Sequence, residues 1–410
     1  MKKIFNFALY DFANSAFTTI IITFIFATYF AKQIAPNPVL GQSYGGWTIG
    51  ITGFLVAIIG PIVGSYADKK NRIIFFIRCF SLLCISFTTL LWFSKPSQSY
   101  LLYTLIIVGV ANLFYELSLI FYNSLLKDIS TDKNLGKSSG FGFALGYIGG
   151  IVILLISIKL FIDTDNLPFG LIKKESQNIR AIALLVSIWF LIFSIPFLFF
   201  AIKEKKKKIK KNVSSNFKDL KKLLWNKKIS VLGKFLIARM LYADGLNAII
   251  VMGGIFAVGV FNLEIKDLLK LSVIMNITAF IGAFIGGVAN DRYGSKIVII
   301  FSLVGLILSS FAILFTFSVS TFFFLAAVNG LFIGPIQSAS RVVITSLLNK
   351  NNQGKGFGLF ATSGKLTSFI GPLLVSTVTF LSNSQRIGFS AAIILLLSGL
   401  IILLNIRKIN

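Results

Sequence analysis

The sequence predicts an all-α membrane protein of twelve transmembrane helices arranged as two six-helix halves. Three observations predict it. The mean hydropathy is +0.85 and only 13% of the 410 residues are charged, against about 25% in soluble domains. The apolar residues gather into twelve runs long enough for a spanning helix, which needs about 20 residues. Short motifs of the first six runs return in the last six at nearly constant offsets.

The spans are read at 7–31, 45–66, 73–94, 100–126, 139–162, 179–202, 229–258, 268–289, 296–316, 321–347, 356–381 and 387–406. The first follows Met1-Lys2-Lys3 as a signal peptide would. Its core is too long, Asp11 and Asn14 interrupt it, and no Ala-x-Ala site closes it, so it is read as an uncleaved helix. A carboxylate in a bilayer core costs roughly 2.5–3.5 kcal/mol on insertion scales, so Asp11 is expected to face the bundle interior. The third span holds both cysteines, Cys79 and Cys84, which leaves no disulfide framework. The fourth carries Glu116 at mid-span, with Asn112, Tyr115 and Asn123 near its face by helical spacing. Span seven carries Arg239, Tyr242, Asp244 and Asn247, span ten Gln337 and Arg341, and span eleven Lys365.

Residues 1–202 thus form one half and 229–410 the other, joined by a basic linker, 203–228, that opens Lys203-Glu204-Lys205-Lys206-Lys207-Lys208. The formal charge is +26, and its placement sets the orientation. If the termini and the even–odd connections share one side, that side holds 26 of the 40 Lys and Arg residues. By the positive-inside rule that side is cytoplasmic, which puts the chain in the plasma (inner) membrane with both termini inside. The linker is expected to touch anionic headgroups, and its 216–225 portion is a candidate amphipathic helix lying on the membrane. Nucleic acid is not an expected partner, because only Phe217 and Trp225 interleave with the lysines. The chain is expected to be monomeric.

Several chemistries are excluded. The chain contains no His, which removes Ser-His-Asp triads and His-based zinc sites. No Gly-x-x-x-x-Gly-Lys-Ser/Thr loop is present, so ATP hydrolysis is not expected. No catalytic residue, metal or other cofactor is expected, and a coupling proton or sodium ion is left open.

The repeat is read from loops. Gly64-Ser65-Tyr66-Ala67-Asp68-Lys69 follows span two, and Gly287-Val288-Ala289-Asn290-Asp291-Arg292 follows span eight, at an offset of 223. Ser124-Leu125-Leu126 matches Ser346-Leu347-Leu348 at 222, and Gly140-Phe141-Gly142 is paired with Gly356-Phe357-Gly358. In spans one and seven, Asp11-x-x-Asn14 pairs with Asp244-x-x-Asn247 at 233. Glycine in these places allows close helix approach. An Asp beyond a helix end can accept hydrogen bonds from the N-terminus of another helix.

Twelve spans in two repeats, with Gly-x-x-x-Asp-Arg-x-Gly-x-Lys loops after spans two and eight, resemble the major facilitator superfamily. That resemblance implies a major facilitator fold and a conformational latch in which the loops bridge to spans eleven and five. Its residues would be Gly64, Asp68 and Arg72 in the first copy, and Gly287, Asp291, Arg292, Gly294 and Lys296 in the second. The first copy departs from the pattern, with Asn71 where Gly is usual and Lys69 for Arg. Ala8-Leu9-Tyr10-Asp11-Phe12-Ala13-Asn14-Ser15, Ala238-Arg239-Met240-Leu241-Tyr242-Ala243-Asp244 and Gly334-Pro335-Ile336-Gln337 further resemble the UMF-type branch, related to fungal autophagy-associated vacuolar amino-acid exporters. That narrower resemblance implies an amino acid as the solute.

The candidate intramembrane charges are three acids and three bases: Asp11, Glu116, Asp244, Arg239, Arg341 and Lys365. Pairing is the arrangement that costs least in a bilayer. Together with Asn14, Tyr242, Asn247 and Gln337 they form the candidate solute or ion site. Arg239 and Arg341 suit a carboxylate, and Asp11 is placed nearer the cytoplasmic mouth with Asp244 nearer the centre. The expected function is secondary transport of a small polar solute by alternating access. The alternatives are a lipid or organic-acid transporter of the same fold, or a non-transporting membrane sensor or scaffold.

Overall fold

In the computed structural model, which describes residues 2–201, 223–226, 228–263, 265–365, 367–368 and 370–407, helix occupies all twelve expected spans, the eleventh as two segments. They are α1 (Lys2–Ile34), α2 (Ser43–Lys70), α3 (Ile73–Phe93), α4 (Gln98–Ile129), α5 (Asp132–Ile162), α6 (Lys174–Phe200), α7 (Val231–Phe261), α8 (Lys270–Tyr293), α9 (Ser295–Phe315), α10 (Val319–Leu347), α11 (Lys350–Ser382) and α12 (Gln385–Leu404). Most of the basic linker, including the lysines from Lys203 to Lys222, lies outside the described residues. At its far end the candidate amphipathic helix does not extend to Trp225. Trp225–Asn226 instead pairs antiparallel with Lys228–Ile229.

Local chemistry sets the helix ends. Asn37, Ser230, Ser318 and Ser384 cap helices by accepting a backbone N–H on their side-chain oxygens, as N-cap residues do. The helix of α2 ends at Asn71 in the left-handed conformation, φ 53°, and α9 starts after Gly294 at φ 87°. Asn enters that region more readily than other non-glycine residues, so Asn71 serves at the turn where the second copy has glycine. The helix α1 changes to π-helical turns at Phe17–Thr23, and α6 does so from Pro196, which cannot donate to the ladder.

Each half supplies most of one apolar core, with Val56, Leu117 and Ile120 joining the core of the second half and Val342 that of the first. The halves meet through two crossings related by the repeat, α2 on α11 and α5 on α8. Both crossings are lined with glycine. A Cβ at Gly64 would lie 2.3 Å from the Gly354 oxygen, and one at Gly287 would lie 2.7 Å from the Gly136 oxygen. Among the described residues, the hydrogen bonds and ion pairs joining the halves run from Asp68 and Asp291 at the face that bears the termini to Glu116 and Lys365 at mid-span. Beyond mid-span α11 turns away. Its segment Gln353–Lys365 packs on α2, whereas Ile370–Ser382 packs on α7 and α12 of its own half. The conformation is closed at the termini face.

Candidate functional site

At the rim of the termini face, each loop aspartate sits on a helix N-terminus of the other half. The Asp68 carboxylate accepts the Gly354 and Lys355 N–H groups at 2.9 and 2.8 Å. Asp291 accepts those of Gly136 and Lys137 at 2.6 and 3.0 Å. A carboxylate there meets both the unpaired donors and the positive end of the helix dipole. The partners are a Gly-Lys dipeptide in both copies, Gly136-Lys137 and Gly354-Lys355, at an offset of 218. Sequence reading missed that dipeptide and instead paired Gly140 with Gly356. A Cβ at Gly140 would lie 2.4 Å from the Ala283 oxygen and one at Gly358 2.8 Å from the Gly60 oxygen, and since Gly60 and Ala283 are 223 apart these contacts set Gly140 against Gly358.

The basic residues expected in the latch, Arg72, Arg292 and Lys296, make their contacts elsewhere. Arg72 is exposed over the Phe75 ring, and Arg292 is exposed over the Tyr293 ring. Lys296 donates to the Leu404 and Ile406 oxygens, where it caps the end of α12. Their side chains leave the helix on the side away from the other half. The two aspartates and the glycines bridge the halves at this rim.

One layer deeper, Asp11 of α1 meets Arg341 of α10. The pair is separated by 3.3 Å, with the residues 9% and 1% exposed. Asp11 also accepts from Tyr122 at 2.7 Å and from Asn14 at 3.5 Å. Arg341 donates further to Ser139 Oγ, the Ser139 oxygen and Asn123 at 2.8, 2.6 and 3.1 Å. Both ions are fully employed by protein partners, the condition under which a buried pair is sustained. Lys127 adds bonds to the Thr345 and Leu348 oxygens near the same rim. Arg341, expected to be available to a solute carboxylate, is held here by protein acceptors. Arg239 is held similarly. Its Nη1 donates to the Phe360 oxygen and Ser363 Oγ, both at 2.7 Å, and its plane lies over Phe360.

At mid-span further polar bridges join the halves, among them Thr362 of α11 donating to the Ala57 oxygen of α2 at 2.8 Å. On one side Tyr147 of α5 donates to Gln337 of α10 at 3.2 Å. On the other Lys365 of α11 meets Glu116 of α4 at 2.6 Å, with side chains 31% and 14% exposed. Glu116 lies well inside its span, which ends at Ile129, and is about 20 Å into the membrane at 1.5 Å per residue. This is the charged pair nearest the divergence of the halves, and its lysine is the more open partner.

The third expected pair does not form. Asp244 and Arg239 lie on one helix, and the acid turns instead toward α11. The pairing of Asp11 with Asp244 is also shifted. Tyr10 bonds Ser118 and Ser81, and Tyr242 bonds Ser340. Ser118 and Ser340 are 222 apart, so Tyr10 corresponds to Tyr242 at an offset of 232. Gly149 meets the Phe12 oxygen and Gly371 the Asp244 oxygen, both with a Cβ at 2.4 Å, which gives 232 again. Asp244 therefore stands where the first half has Phe12, one residue or about 100° around the helix from the counterpart of Asp11. Tyr242 is a packing residue within its half, and Asn247 donates to the Ser368 oxygen at 2.9 Å.

A family model described as "Vacuole effluxer Atg22 like" matches residues 32–408. The chain belongs to this family. It is 27% identical to an uncharacterised MFS-type transporter, YxiO, of Bacillus subtilis, over 97% of this chain and 93% of that one. It is 22% identical to autophagy-related protein 22 of Kluyveromyces lactis, over 85% and 76% of the two chains. In fold this Atg22-like chain is similar to the human organic anion transporter MFSD10, with a TM-score of 0.77 at 14% identity and 98% and 99% coverage. It is also similar to FucP in the outward conformation, at 0.74 and 14%, covering 99% and 98%. The Atg22-like protein is a multi-pass membrane transporter of the major facilitator fold, and its relatives are transporters rather than enzymes.

Proposed function

We propose that this protein carries a small zwitterionic solute, of which amino acids are the favoured class, between two faces of the membrane by alternating access. The carrying observation is the Glu116–Lys365 pair, one acid and one base from opposite halves at mid-span. A zwitterion presents one charge to each member, so the solute replaces the bond it breaks. A single anion would leave Glu116 unpaired, and the two arginines suited to an anion are occupied. The apolar groove of about 400 Å³ between α8, α9 and α10, lined by Gly286, Phe301 and Phe332, includes none of these charges, which weighs against a lipid route through the pair. The intact charge pairs weigh against a scaffold role. The excess of Lys and Arg on the side of the termini supports a plasma (inner) membrane orientation with both termini cytoplasmic. There the basic linker would meet anionic headgroups around a monomer.

Flux of labelled amino acids in proteoliposomes tests the reading. Glu116→Gln and Lys365→Met each remove a charged hydrogen bond, about 1.5–3 kcal/mol, so apparent affinity should fall by about 10- to 100-fold. Competition should come from zwitterions and not from the matching amines or carboxylic acids alone. Equal competition by an acid lacking the amine would sink the zwitterion reading.

A further inference from the structure

The second half carries a groove on its bilayer side, and the repeat shows where it comes from. Contacts set α8 against α2 at an offset of 223, as Asp291 stands to Asp68, and α10 against α4 at 222, as Ser340 stands to Ser118. At those offsets Gly282, Gly286 and Ala289 take the places of Ile59, Val63 and Tyr66, and Pro335 takes the place of Leu113. All four residues are smaller than their counterparts. In the first half the larger side chains are packed, with Tyr66 edge-on to Phe76 and with Ile59, Val63 and Leu113 against the cores. In the second half the missing volume is left as the groove of about 400 Å³ between α8, α9 and α10. Its floor is tight, since a Cβ at Gly286 would lie 2.6 Å from Pro335 Cβ.

The walls of the groove face hydrocarbon. Ile285, Tyr293, Ile297 and Phe301 line it and are each more than half exposed. Left empty, such a groove forfeits dispersion contacts along its whole lining. On α8 the lining runs from Tyr293 at the termini face to Gly282, about 16 Å at 1.5 Å per residue. That is about half of the ~30 Å hydrocarbon core, the depth of one leaflet. At the interfacial end Arg292 is exposed, with its guanidinium 5.3 Å from the centroid of the Tyr293 ring. Among the described residues Arg292 has no hydrogen-bonded or ionic partner. The adjacent Asp291 is taken by the Gly136 and Lys137 N–H groups, and Lys296 by the Leu404 and Ile406 oxygens. Arg292 is therefore available at the mouth of the groove, at the level of lipid headgroups, and a guanidinium binds phosphate in a planar fork.

We propose that the groove holds one anionic phospholipid of the leaflet at the termini face, its phosphate on Arg292 and one acyl chain along α8 beside Phe301 and Phe332. The first half supplies the contrast. Arg72 is also exposed, over Phe75, but Val63 and Tyr66 occupy the positions that the groove leaves open. Charge alone would attract a lipid to either arginine, and only the second has a place for its chain. This lipid is bound at the membrane face and is not the carried solute, so the site stands apart from the transport reading.

Phosphatidylglycerol with a diazirine at mid-chain, as a minor component of phosphatidylcholine liposomes holding the full chain, tests the site. After illumination, label is expected on the peptides that contain Phe301 and Phe332. Excess unlabelled phosphatidylglycerol should suppress it, and inorganic phosphate should not. Diazirine phosphatidylcholine should label the same peptides about fivefold less, the factor that one basic residue contributes at a membrane surface. Arg292→Gln should bring phosphatidylglycerol down to that level, whereas Arg72→Gln should leave it unchanged. Ala289→Tyr, which restores the residue of the first half, should remove the label from Phe332 with both lipids. Equal labelling by the two lipids in the wild type, or labelling unchanged by both Arg292→Gln and Ala289→Tyr, overturns the site. A wild-type dimer that Ala289→Tyr separates would assign the groove to a second copy and overturn it as well.

Discussion

Arg341→Gln is expected to destabilise the protein by about 3–5 kcal/mol, the usual consequence of leaving one member of a buried ion pair alone. The substitution removes the guanidinium from Asp11, Ser139 and Asn123 together, and Asp11 is too buried to recruit water in its place. Thermal unfolding of the purified protein should show a drop of several degrees, and solute flux should be abolished. Asp11→Asn in the Arg341→Gln background removes the stranded charge, so the double variant should recover part of the lost stability. It should not recover flux, because the bridge between α1 and α10 is still absent. A double variant less stable than both single ones would show that the two residues act independently.

Weakening the rim should have the second largest effect. Asp68→Asn and Asp291→Asn each keep the side-chain shape but replace one acceptor oxygen with a donor facing a backbone N–H. Each loses charge-assisted bonds to two donors, where a hydrogen bond to a charged group contributes about 1.5–3 kcal/mol. Hydrogen exchange at Gly136, Lys137, Gly354 and Lys355 should accelerate by about 10- to 100-fold in the matching variant. Arg72→Gln and Arg292→Gln, whose side chains lie outside the contact, should leave the same amides protected.

The twelve spans were legible because length and apolarity alone define a bilayer helix, and helix occupies every expected run, the eleventh in two segments. The aspartate contacts were legible for a related reason, since a carboxylate beyond a helix end has few other uses. The facing of the intramembrane charges was less so. Asp11-x-x-Asn14 and Asp244-x-x-Asn247 match as letters, yet a register difference of one residue turns Asp244 to α11 and away from the place Asp11 holds. Nothing in the local sequence marks that rotation. It appears only through contacts such as those of Gly149 and Gly371. Arg72, Arg292 and Lys296 have the expected charge in the expected loop, but charge does not fix the direction in which a long side chain leaves its helix. The pair Glu116–Lys365 was expected only as part of a set of three acids and three bases, because the partners lie far apart in the chain and in different halves.

The central claim is that the halves rock about a solute held between Glu116 and Lys365. Distances between spin labels test it most directly, with Cys79 and Cys84 replaced beforehand. One label pair, at Ser99 and Ser320, spans the halves at the face opposite the termini. The other, at Lys133 and Asn351, spans them at the termini face, and all four positions are exposed. On adding the amino acid that gives flux, the first distance should shorten while the second lengthens, and Glu116→Gln should blunt both changes. Two distances that stay fixed with solute present, or that lengthen together, would contradict alternating access.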